Sequence, residues 1–92
     1  MRKFGKIDSN QKQIVKRLRE IPGVSIVSIA SVGNGTPDII VGYKNFNYLI
    51  ELKSSSTSKL TEQEIKFIKD WKGNVAVCYN FDQVLQVIGI DE

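Results

Sequence analysis

The sequence predicts an α/β fold, a mixed β-sheet flanked by helices in the order α-β-β-β-α-β-α. Three observations predict it. Apolar residues recur at helical spacing near the start of the chain and again past its middle. Between and after those stretches lie β-branched runs bounded by turn residues. Two of the runs are separated by a turn short enough to make a hairpin.

In residues 9–20, Ile14, Val15, Leu18 and Ile21 mark one face of a helix. Ser9 or Asp8 is placed to cap it, and Pro22-Gly23 to end it. Residues 24–32 alternate and are rich in β-branched side chains, which predicts the first strand. Gly33-Asn34-Gly35-Thr36-Pro37 is a strong turn signal. Residues 38–43 and 46–53 predict two strands joined by a tight turn at Lys44-Asn45. A polar loop over 54–59 follows. Thr61 and Glu64 have the spacing of a capping box, opening a helix that runs to about Trp71 and stops at Gly73. Residues 74–79 predict a short strand and 82–88 a last helix.

With 92 residues the chain is one domain in length, read as a basic arm over 1–8 and a single domain over 9–92. An apolar fraction of 41% with 25% charged residues is that of a chain that folds. Its one cysteine, Cys78, forms no intramolecular disulfide and reads as a small buried hydrophobe. No segment reads as a signal peptide or a membrane span, so a cytoplasmic protein is expected. The absence of histidine removes the commonest zinc ligand and the commonest general base. Any metal must then be held mainly by oxygen, which points to magnesium, manganese or calcium.

Charge is unevenly spread. Net charge is +3, yet residues 1–20 carry seven cations against Asp8 and Glu20, a local +5, leaving −2 for the rest. A basic arm and helix is the footprint of phosphate binding, and a solvated helix face with a basic tail accounts for it equally well.

The informative pattern is Pro37-Asp38, twelve residues, then Glu51-Leu52-Lys53. Strand side chains alternate, so Glu51 and Lys53 share one face while Tyr48, Ile50 and Leu52 form the core face. If residue 43 pairs with 46, equal steps outward pair Asp38 with Glu51. The two carboxylates are then cross-strand neighbours roughly 5 Å apart. Such a pair repels itself unless a cation lies between. A divalent ion satisfies it and acidifies water for attack on a phosphodiester, while Lys53 steadies charge on a phosphate oxygen. The competing account is an ordinary surface ion pair beside a turn aspartate. An E-x-K tripeptide alone is too common to decide; the opposed aspartate is the rarer feature.

Gly33-Asn34-Gly35-Thr36-Pro37-Asp38-Ile39-Ile40-Val41, Leu49-Ile50-Glu51-Leu52-Lys53, Leu60-Thr61-x-x-Glu64 and Trp71-x-Gly73 together resemble the virus-type replication-repair nuclease (VRR-NUC) domain of the PD-(D/E)xK nuclease superfamily. The resemblance spans about residues 9–88. It implies a restriction-endonuclease-like core and a Mg²⁺- or Mn²⁺-dependent DNA endonuclease. The implied partner is branched DNA, four-way (Holliday) junctions or flaps, cut by a homodimer. The setting it implies is the cytoplasm of a bacterial host, with the protein phage-encoded or bacterial.

In the resemblance Asp38 and Glu51 are metal ligands and catalytic, the Leu52 carbonyl is a further ligand, and Lys53 is the catalytic lysine. The family places a glutamate on the first helix where this chain has Gln11, a departure that removes one negative charge. Gln11, Glu64 and Gln63 are candidate accessory residues; an edge-of-core position explains Gln11, and the capping box explains Glu64, as readily. Lys6, Lys12, Lys16, Arg19, Ser54 and Lys59, with Ser55 and Ser56, are candidate DNA-backbone contacts, which give affinity without sequence preference. Trp71 and Phe67 read as core packing rather than a base-stacking platform. Two other classes stay open: a nucleic-acid-binding module of the same fold with weak or no catalysis, and a structural domain such as a nuclease-inhibiting partner.

Overall fold

The computed structural model describes residues 9–54 and 58–91, with side chains from residue 11 onward. The expected arm over 1–8, the caps Asp8 and Ser9, Lys6, and the loop serines Ser55 and Ser56 lie outside what is described.

Helix α1 runs Ser9–Arg19. Its apolar stripe buries Ile14 and Leu18, with Val15 and Ile21 packed against the core. The helix unwinds through two tight turns, Glu20 N–H to the Arg17 carbonyl (3.2 Å) and Ile21 N–H to the Leu18 carbonyl (3.1 Å), ahead of Pro22.

Strand β1 is Val24–Ser28, shorter than the expected 24–32. It pairs antiparallel with β2, Ile39–Tyr43, in a register that sets Ser28 opposite Ile39. One further bond, Ile29 N–H to the Asp38 carbonyl at 2.9 Å, extends the ladder. The next partner would be Pro37, which has no N–H to give. Residues Ala30–Val32 coil instead into a 3-10 turn. The helices and strands therefore keep the expected order, with that turn inserted between the first two strands.

A two-residue turn, Lys44 (φ 51°) and Asn45 (φ 71°), joins β2 to β3, Phe46–Leu52. Both central residues at positive φ make the hairpin turn whose twist matches its strands. Tyr43 faces Phe46 and Ile39 faces Ile50, so the expected register is the observed one. Helix α2 spans Glu62–Asp70 and is opened by a complete capping box between Thr61 and Glu64. It crosses to β4, Val75–Cys78, which pairs parallel with β3. Helix α3, Phe81–Ile88, is capped by Asn80 and ends at Gly89. The sheet order is β1-β2-β3-β4, mixed, with three helices on it.

Alternation decides the layers. Ile39 and Val41 of β2, Ile50 and Leu52 of β3 and Cys78 of β4 face α1 and α3, meeting Phe81, Val84, Leu85 and Ile88 in one core. Between the two helices the Arg17 guanidinium lies 3.8 Å over the Phe81 ring. Cys78 is buried, which pushes its thiol up to about 11 and leaves it inert at neutral pH. The other sheet face belongs to α2, which itself contains no buried residue. No helix among the described residues is long and apolar enough to cross a membrane.

Candidate functional site

Pro37, fully buried, fixes the entry of the chain into β2. Immediately after it, the Asp38 N–H bonds to the Ile50 carbonyl at 3.0 Å, and Asp38 Oδ2 accepts from the Leu52 N–H at 2.7 Å. Asp38 is thus held against β3 at both its main chain and its side chain. The Lys53 N–H bonds the other way, to the Cys78 carbonyl of β4 at 3.0 Å. Successive peptide groups of a strand point to opposite sides, so the Leu52 carbonyl is directed to the Asp38 side.

Glu51 and Lys53 share the strand face expected of them, with Lys53 Nζ 3.4 Å from Glu51 Oε2. Their setting differs from the expectation of a displayed pair. Glu51 is only 5% exposed, so both faces of this end of β3 are covered. Glu64 is what meets them. Its Oε1 accepts from Lys53 Nζ at 2.9 Å and from the Thr61 N–H at 2.9 Å, while its own N–H bonds to Thr61 Oγ1 at 3.1 Å. One carboxylate therefore both closes the capping box and reaches the lysine. Gln63, one residue before, takes a different position: it lines a groove with Asn34, Lys66, Phe67, Asp70 and Trp71.

Gly35 explains how α2 comes so close. It sits at φ +81°, and a Cβ there would run into the Gln63 main-chain carbonyl. Only glycine allows the turn before Asp38 to press on the first turn of α2.

The electrostatics follow from burial. The Glu51 carboxyl is pushed up to about 8, first by burial and then by the Asp38 and Glu64 charges, which Lys53 offsets only in part. Burial also works to lower the Lys53 pKa, but the hydrogen bond to Glu64 and the charges of Glu51 and Glu64 win, and the ammonium is held above its usual range. For Glu64 burial works upward, yet the bonds from Lys53 and the Thr61 N–H bring it below the usual carboxylate range. The cluster is short of positive charge at Glu51 and well supplied at Glu64.

That deficit, with a donor set of carboxylate and carbonyl oxygen, fits a hard divalent cation. Among the described residues no three His, Cys, Asp or Glu converge as a metal-holding group. The carboxylates available are two, Asp38 and Glu51, and Mg²⁺ characteristically completes its shell with waters.

Gln11 comes from the first helix. It is half-buried on α1 and lines a groove of about 460 Å³ with Lys12, Val15, Lys16, Arg19 and Ser28 that reaches Ile39, the neighbour of Asp38. The three cations expected on one polar face are brought together there. Ser54 and Lys59 are exposed near the end of β3 and the start of the following loop.

Trp71 and Phe67 correct the sequence expectation of core packing. Trp71 is 46% exposed, and its ring stacks on Phe67 with centroids 5.1 Å apart and planes 14° from parallel. The i, i+4 spacing is the sequence signal for such a contact, and it does not distinguish a buried pair from an exposed one. Gly73 likewise does not end α2 as a left-handed cap: the helix stops when Trp71 turns extended (φ −74°, ψ 130°), its N–H still bonded to the Phe67 carbonyl. No family model matches the chain, and no curated protein or solved structure matches it either.

Proposed function

We propose that the chain is a divalent-metal-dependent DNA endonuclease with a restriction-endonuclease-like core, similar to the VRR-NUC domain. The observation that carries the reading is the Asp38–Glu51 pair: two carboxylates on opposed hairpin strands, one buried and short of positive charge, with Lys53 beside them. Asp38, Glu51 and the Leu52 carbonyl would hold Mg²⁺ or Mn²⁺. When bound, the ion supplies Lewis acidity and a hydroxide nucleophile at neutral pH.

The protein's own part is positioning. The Leu52 N–H fixes one Asp38 oxygen at 2.7 Å and so fixes the side chain's direction. Lys53 keeps its proton because Glu64 and Glu51 hold it, so it can donate to a phosphate oxygen without itself becoming a base. Its ammonium steadies charge as the bond from phosphorus to the leaving 3′-oxygen breaks. The products expected from the resemblance carry 5′-phosphate and 3′-hydroxyl ends.

Lys12, Lys16 and Arg19, on one groove, are suited to backbone phosphates, and contacts of that kind carry no base preference. By resemblance, the enzyme is a homodimer that acts on four-way junctions or flaps, in the cytoplasm of a bacterial host. A second reading, a binding module of the same fold without catalysis, is favoured by one observation. The first helix offers Gln11 where an acidic group would complete the site.

The test is incubation with a four-way junction, a flap and single-stranded DNA, with and without Mn²⁺. Cleavage that needs Mn²⁺, with Lys53→Ala and Asp38→Ala binding DNA but cutting at least about a hundredfold more slowly, is the expected result. Wild-type cleavage by either variant would show the site assignment to be wrong. Binding with no product on any substrate would favour the module.

A further inference from the structure

The stacked pair at the end of α2 is held in place although it is exposed. Phe67 supports one face of the Trp71 indole at a centroid distance of 5.1 Å. Gly73 makes room at its edge, since a Cβ there would sit 3.0 Å from the indole Nε1. An exposed tryptophan with one face of its ring backed by Phe67 is a pre-organised flat surface, which loses little conformational freedom when something lies on it. The two rings line a groove of about 440 Å³ whose polar members are Asn34, Gln63, Lys66 and Asp70. Amides at the rim offer donors and acceptors together. Lys66 lines the groove beside the rings and is held by Asp70 at 2.7 Å. Two of its lining residues are chain neighbours of the carboxylate cluster. Gln63 precedes Glu64, which holds Lys53, and Asn34 lies in the turn that leads to Asp38.

From this we infer that the groove between the Gly33–Thr36 turn and α2 takes an unpaired nucleobase, stacked on Trp71, next to the cleavage site. A π-face with a polar edge is what an exposed ring and two amides recognise together. An apolar peptide would match the rings and waste the amides. The inference rests on the nucleic-acid reading above and adds to it that single-stranded character beside the cut is gripped directly. Base–aromatic stacking tolerates any base, so the groove selects strand structure rather than sequence.

Trp71 is the chain's one tryptophan, so its fluorescence reports on the groove. The full chain is titrated in EDTA, where cleavage plays no part, with three probes: oligothymidine, an abasic deoxyribose-phosphate strand of the same length, and a blunt duplex. Oligothymidine should quench the emission and bind about tenfold more tightly than the abasic strand. Trp71→Phe should keep most of that preference and Trp71→Ala should lose it, with unchanged circular dichroism in both. Equal affinity for the thymidine and abasic strands overturns the inference. So does duplex binding with no change in Trp71 emission, which leaves the proposed function standing. Failure to bind any of the three removes the proposed function as well. Emission that responds to protein concentration and not to oligonucleotide gives the groove to a second copy of the chain and likewise overturns it.

Discussion

Burial of Glu51 sets the pH behaviour of the metal-free protein. Its carboxyl is pushed up to about 8 in the folded state from an ordinary 4.5, because burial and the Asp38 and Glu64 charges oppose ionisation. The folded state then binds more protons than the unfolded state between those values, so stability falls as pH rises from about 4.5 to about 8. The loss should be on the order of 5 kcal/mol, and Glu51→Gln, which is neutral throughout, should flatten the profile and be the more stable protein at pH above that window. Glu64 acts in the opposite direction and elsewhere: its lowered pKa gives stability that disappears only as pH falls through the acid range. Urea titrations of both proteins across this range, in EDTA, measure the difference, and parallel profiles would dismiss the buried-charge account. Part of this was legible in the sequence. The hairpin turn at Lys44-Asn45 fixes the register as far as Ile39 opposite Ile50, which brings Asp38 and Glu51 to the same end of the hairpin. The burial was not legible, because it depends on how closely a helix eleven residues farther along is drawn to the end of β3, and that closeness is set by the Gly35 turn and the Glu64–Lys53 contact.

At the scale of elements, α2 is the one to which the cluster is most sensitive. It brings no buried side chain to the fold, so its ends count for more than its face. Thr61 Oγ1 accepts the Glu64 N–H, and Glu64 in turn carries Lys53. Thr61→Ala should cost about 1 kcal/mol, felt as opening of α2 rather than of the whole chain. Hydrogen exchange should therefore speed up across Glu62–Asp70 and stay unchanged in α1 and α3. Protection in α2 equal to the unaltered protein would mean that contacts to the turn at Gly35 hold the helix without its cap. The capping box itself was plain from spacing alone. Two neighbouring features were not. The first strand ends early because continuing its register would set Ala30 against Pro37, a fact of pairing that the run Ala30–Val32 does not itself show. Trp71 is exposed where its helical spacing suits a core position, because the helix lets go of the chain at that residue.

For the whole molecule, the order of its surfaces gives the last prediction. One groove, on the α1 side of the sheet, carries Lys12, Lys16 and Arg19 and ends at Ile39. The other, on the α2 side, carries Trp71 and begins at Asn34 and Gln63. Asp38, Glu51 and Lys53 occupy the ends of β2 and β3 between them. If the proposed function holds, the basic groove bears the duplex arm of a branched substrate, and its three cations are exposed, so replacing them leaves the core intact. Each phosphate neutralised by a cation releases counterions, which steepens the fall of affinity with salt by about 0.9 in logarithmic slope. The Lys12→Ala, Lys16→Ala, Arg19→Ala variant should therefore bind duplex DNA with a slope shallower by about 2–3. Its cleavage rate at saturating DNA should change little, because none of the three side chains belongs to the carboxylate cluster. Binding isotherms over a range of salt concentrations, with single-turnover rates beside them, separate these effects. An unchanged slope would place the duplex elsewhere on the molecule, and a collapsed single-turnover rate would mean that the α1 groove aligns the reacting phosphate rather than merely holding the arm.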